Sequence, residues 1–176
     1  GLIPGAIGPS SDGKGNTWMV QPNGMVANLQ NSALNTAFGL NSNGNEFQPN
    51  GSAMVAKDGS LGVLQGEMLG LQVTRFIRVD QRLGIARWVD VFTNTTPAAI
   101  AGQFGFQLQL NCQAAQVVSE AGTQVSTTLG AKEGALILTK PNQYPSNWTD
   151  IILLLADPAS KNKPTITNQN NYQCAG

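Results

Sequence analysis

The sequence predicts an all-β protein, an antiparallel β-sandwich with no long helix. Short apolar runs of strand length recur along the chain. They are separated by Asn-Gly, Asp-Gly and Pro-containing segments, the strongest short-range hairpin signals. No apolar pattern at i, i+3, i+4 and i+7 persists over three turns, so no stretch asks for a long helix. Strands joined in this way close into a sandwich or barrel.

Taken in order, residues 1–16 are rich in Gly, Pro and Ser and read as a flexible arm or linker. Residues 17–176 then read as a single sandwich domain, a size at which one core suffices. Both ends look cut, and the expectation is a domain excised from a longer protein. Thr17–Val20 and Gly24–Leu29 flank the turn at Asn23-Gly24. A second turn, Asn43-Gly44, separates Ala37–Leu40 from Glu46-Phe47, and Asp58-Gly59 separates Ala53–Ala56 from Leu61–Leu64. Further strands are expected at Gln103–Leu110, Gln113–Val118, Gln124–Leu129, Gly134–Thr139, Asp150–Ala156 and Pro164–Thr167. In 104–112, Phe104, Phe106, Leu108, Leu110 and Cys112 alternate with amides, which assigns the apolar set to the core.

The segment 71–94 carries all four arginines of the chain and reads as the central hairpin. Gln81–Ile85 suits a three-residue loop with Gly84 in the left-handed position of a G1 bulge. That register pairs Val79 with Arg87, Arg78 with Trp88 and Phe76 with Asp90. A four-residue loop would set Arg78 opposite Arg87, and like charges facing one another are destabilising. The expected result is Arg78 stacked on Trp88, with Asp90 as counter-charge to Arg78 or Arg75.

The run Thr74-Arg75 … Val79 … Ala86-Arg87-Trp88-Val89-Asp90-Val91-Phe92-Thr93-Asn94-Thr95 resembles the core hairpin of bacterial secreted β-sandwich domains of the supersandwich, galactose-mutarotase-like type. The resemblance covers residues 50–110. It implies the fold and a secreted bacterial setting. It does not bring the mutarotase activity with it, because those enzymes act through histidine and a carboxylate, and this chain has no histidine.

The missing histidine also excludes Ser-His-Asp and Cys-His catalysis and His-based zinc sites. Charged residues make up 11% of the chain and the net charge is zero, against roughly 25% charged in average proteins. No basic field attracts nucleic acid. No apolar run approaches the roughly 20 residues of a membrane helix. Amides carry the polarity, which suits a secreted, periplasmic or cell-surface protein. Cys112 and Cys174 either form a disulfide, contributing about 4 kcal/mol by the chain-entropy estimate, or remain reduced thiols.

No P-loop, GxSxG, CxxC or EF-hand spacing is present, and no cofactor or metal site is expected. Asp12, Asp58 and Asp157 sit in turn contexts, where Asp serves the backbone. Asp80 or Asp90 with Asp150 would be needed as a glycosidase pair, but nothing places them together. Asn50, Asn94 and Asn147 begin glycosylation sequons. The function expected is a non-catalytic interaction or scaffold module that contacts a protein or glycan and other domains of its own chain. The second reading is a carbohydrate-binding domain or the remnant of a sugar-active enzyme. Its ligand-binding residues would be Arg75, Arg78, Trp88, Asp90, Tyr144 and Trp148, an aromatic platform beside charged and amide groups.

Overall fold

A computed structural model describes residues 1–27, 34–110, 114–140 and 150–167. The fold is all-β: the described residues form antiparallel sheets and contain no helix. They fall into two compact units. One gathers residues of 1–27 and 34–109, the other residue 110 and residues of 114–140 and 150–167.

The first unit contains β1 (Leu2–Pro4), β2 (Ser10–Ser11), β3 (Thr17–Trp18), β4 (Val26–Ala27), β5 (Leu34–Ser42), β6 (Asn45–Glu46), β7 (Met54–Ala56), β8 (Leu61–Met68), β9 (Leu71–Asp80), β10 (Ile85–Thr93) and β11 (Gly105–Leu110), the last ending at the boundary. Its main sheet runs β1-β7-β8-β9-β10. A second sheet runs β11-β5-β4, with β6 also paired to β5, and β2 pairs β3. All three glycine turns form where the sequence places them. Gly24, Gly44 and Gly59 take φ of 84°, 80° and 70°, the region where a side chain is penalised. The Asn43-Gly44 turn closes on Ser42 opposite Asn45.

Alternation along β9 defines the two faces of the main sheet. Val73, Arg75, Ile77 and Val79 are buried, while Phe76 and Arg78 are exposed. The inner rows are Gly62–Ile77–Trp88, Leu64–Arg75–Asp90 and Gly66–Val73–Phe92. The outer rows are Leu61–Arg78–Arg87, Val63–Phe76–Val89 and Gln65–Thr74–Val91.

This register differs from the expected one by a single residue, and a one-residue slip moves every β10 side chain to the other face. Asp80 pairs with Ile85 across a four-residue loop, Arg78 lies opposite Arg87, and Arg75 lies opposite Asp90. Two local causes are visible. Asp80 Oδ1 accepts the backbone N–H groups of Arg82 and Leu83 at 2.9 and 3.0 Å, which fixes the longer loop. The register also brings Arg75 and Asp90 together in the interior. Arg78 and Arg87 both face water, where their repulsion is screened to a few tenths of a kcal/mol. The buried pair therefore outweighs the exposed clash. Arg78 and Trp88 fall on opposite faces and do not stack.

The N-terminal sixteen residues, expected as an arm, are built into this unit. Leu2, Ile3 and Pro4 pair with Ala56, Val55 and Met54, and Gly5 N donates to Ala53 O at 2.9 Å. Ile7 packs on Gly62, and Asp12 is fully buried. Phe106, assigned to the core by alternation, is 56% exposed.

The second unit contains β12 (Gln116–Ser119), β13 (Ala135–Thr139) and β14 (Ile151–Leu154), ordered β12-β13-β14. Val125, Leu129 and Leu136 form its core, with Val117, Leu153, Leu155 and Ile166 packed around them. The strands expected at 124–129 and 164–167 reduce to isolated bridges, Val118 to Gln124 and Thr128 to Thr165.

Candidate functional site

Arg75 enters the interior of the first unit from the middle of β9, and every arm of its guanidinium is engaged. Nε donates to Asp90 Oδ1 at 2.8 Å, one Nη to Asn23 O at 3.0 Å and the other to Phe38 O at 2.7 Å. The side chains of Arg75 and Asp90 are 1% and 2% exposed. The guanidinium also lies over the Phe47 ring, 5.6 Å from its centroid. Arginine suits this place because its rigid fork reaches several acceptors while it stays charged. Burial pulls the Arg75 pKa down, against the attraction of Asp90. Burial likewise pushes the Asp90 carboxyl up, against the pull of Arg75. Asp90 Oδ2 is buried and has no hydrogen-bond partner among the described residues.

Trp88 sits one row away, half-buried on the same inner face. Its Nε1 donates to Gly24 O at 2.7 Å. Its ring stacks on Phe38 at 4.2 Å with the planes 9° apart, and Trp18 tilts against it at 6.3 Å. Phe38 holds φ at 60°, an uncommon conformation for an aromatic residue. The stacked ring and the carbonyl bond to Arg75 hold it there. The turn at Asn23-Gly24, the bend at Phe38 and the β9–β10 hairpin thus converge on one arginine and one tryptophan.

A second polar cluster lies nearby in sequence. Asp12 accepts the backbone N–H groups of Lys14 and Asn16, Asn16 Nδ2 at 2.8 Å and Trp18 Nε1 at 2.9 Å. Burial pushes its pKa up, but the bonds from Asn16, Trp18 and Lys14 together outweigh this and hold it below the ordinary 3.8. The turn context of Asp12 announced its backbone role, and Asp58 and Asp157 act alike on Ser60 and Ala159. Its burial carried no sequence signal.

Within the second unit, Glu120 accepts the N–H groups of Gly134 and Ala135 at 2.6 and 3.0 Å. Ser119 Oγ donates to Glu133 Oε1 at 2.6 Å, and Lys163 donates to the carbonyls of Gly130 and Glu133. These hydrogen bonds hold both carboxyls below their ordinary values, led by Gly134 N–H for Glu120 and the Ser119 hydroxyl for Glu133. Ser119 is fully buried, so this network clamps loops and presents no nucleophile.

Of the expected ligand-binding residues, Arg75, Trp88 and Asp90 are brought together inside, while Arg78 is exposed on the outer face. Tyr144, Trp148, Cys112 and Cys174 lie outside the described residues. A separate depression in the first unit is lined by Ile7, Val20, Pro22, Ala53 and Leu64, with Gln21 and Ser52 its only polar side chains. Among the described residues, no three His, Cys, Asp or Glu side chains gather as cation ligands, and no helix is long and apolar enough to cross a membrane. No protein family model, curated protein or solved structure matches this chain.

Proposed function

We propose that the chain is a non-catalytic interaction or scaffold module, a β-sandwich of the supersandwich, galactose-mutarotase-like kind, belonging to a larger secreted or surface protein. The observation that supports this reading is the burial of Arg75 with each of its three nitrogens bonded internally. A sugar-binding arginine presents free donors to a cleft, whereas all three arms of Arg75 are taken by Asp90, Asn23 and Phe38. Trp88 is likewise engaged internally, with one face on Phe38, Trp18 tilted against it and its N–H on Gly24 O. The solvent-facing side of the same hairpin instead carries apolar groups beside arginines. Phe76, Val89, Val91 and Ile85 are 37%, 39%, 44% and 48% exposed, around Arg78 and Arg87. Such a mixed surface suits protein contact. The low charge and amide-rich polarity favour a location outside the cell.

The test is a glycan array together with a panel of chromogenic glycosides. Neither binding nor turnover is expected. Saturable binding of one glycan that is lost in a folded Trp88→Ala variant would replace this reading with the carbohydrate-binding one.

A further inference from the structure

β10 is the long edge of the main sheet, and its outer side has no partner among the described residues. Which backbone groups it leaves open follows from alternation. Val79 N donates to Ser60 O, so Val79 points towards the β8 side. Its neighbours Asp80 and Arg78, and then Phe76 and Thr74, point towards β10. Their partners Ile85, Arg87, Val89 and Val91 spend their backbone groups on β9. Ala86, Trp88, Asp90 and Phe92 therefore turn their N–H and C=O groups to the free edge. β10 contains no proline and no bulge, and its solvent face is apolar but for Arg87 and Thr93.

We infer that β10 is a self-pairing surface, and that its partner is β10 of a second copy of this chain, antiparallel about a two-fold axis through Val89. This rests on the interaction-module reading and names the partner. The strand is complementary to itself in this register. Ala86 meets Phe92 and Trp88 meets Asp90 of the second copy, so every outward backbone group finds its mate. Val89 meets Val89 in a non-hydrogen-bonded site, where side chains approach most closely. Arg87 faces Val91 and Ile85 faces Thr93, so no like charges oppose. Other registers are poorer. Centring on Arg87 or Asp90 sets that charge against its own copy. Centring on Trp88 leaves Phe92 unpaired, and centring on Val91 leaves Ala86 unpaired. The outer apolar row Met54–Val63–Phe76–Val89 then continues across the axis into the same row reversed. Two main sheets become one, and each loses its long edge while β1 stays at the outside.

Sedimentation equilibrium of the whole chain tests this, with folding of each variant checked by circular dichroism. A reversible dimer of twice 18.5 kDa is expected into the high micromolar range. Val91→Glu places a carboxylate opposite Arg87 twice and tightens the dimer about tenfold, while Val91→Lys loosens it about tenfold. A chain that stays monomeric throughout overturns the inference, as does a dimer indifferent to both substitutions. Either result leaves the glycan outcome, and with it the interaction-module reading, untouched.

Discussion

Arg75 and Asp90 face each other across β9 and β10 as a buried ion pair, 2.8 Å from Nε to Oδ1. The pair is a register lock. It forms only when the hairpin closes over four residues; a one-residue slip would turn Asp90 to the outer face and leave the buried Arg75 opposite Val91 or Val89.

Removing one partner strands the other. Arg75→Met is expected to cost about 3–5 kcal/mol, since it leaves a buried carboxylate and two carbonyls without donors. The double variant Arg75→Met/Asp90→Leu is expected to cost less than the sum of the single changes. Urea unfolding of the four proteins of this cycle gives the coupling, and additive losses would show that the pair does not act as a unit.

Trp88→Phe keeps the ring stacked on Phe38 but leaves Gly24 O without its donor. The expected loss is about 1–2 kcal/mol. Trp88→Ala removes the stacking as well and should cost about 3–5 kcal/mol. The difference between the two, read from denaturant midpoints, measures what the ring contributes through burial and stacking together.

Gly24→Ala asks a side chain to adopt φ of 84° in a crowded place. Its Cβ would lie 2.9 Å from Ile77 Cδ1 and 3.0 Å from Leu64 Cδ1. A loss of about 1–3 kcal/mol is expected. Gly51→Ala serves as a control, because nothing lies within 4 Å of its added Cβ, and its melting temperature should barely move.

Acid acts on Asp12 through a carboxyl pKa that lies below 3.8 in the folded chain. Below the unfolded value the unfolded chain binds the proton more readily, so stability rises with pH in that range. The contribution is present above 3.8 and is lost as pH falls through the folded value. Asp12→Asn should flatten the acid limb of a melting-temperature profile. In the unmodified chain, fluorescence of Trp18, which donates to Asp12, should follow that limb. Asp58, Asp80, Glu120 and Glu133 are lowered too, so a residual slope is expected in the variant.

The all-β character and the glycine turns were legible because turn chemistry is local: Asn23-Gly24, Asn43-Gly44 and Asp58-Gly59 all carry positive-φ glycines. The hairpin register was not, because it is decided by competition between distant terms. The exposed Arg78–Arg87 opposition is visible in the sequence and weak, whereas the buried Arg75–Asp90 pair requires knowing which face is inside. Phe38 and Asn23 supply carbonyls to Arg75, and a backbone acceptor leaves no mark in side-chain identity. The N-terminal stretch misled for a related reason. Its Gly-rich composition resembles a linker, yet Gly13 is needed where a Cβ would lie 2.1 Å from Gln81 O.

That close approach of Gly13 to Gln81, with Leu2 against Ala56 and Gly5 against Ala53, has a consequence for the order of events during synthesis. These first residues leave the ribosome before any of their mates exist. They must wait in solvent until the hairpin tip has emerged behind them. Closing such distant contacts is slow, so the earliest part of this unit to be made is among the last to find its place.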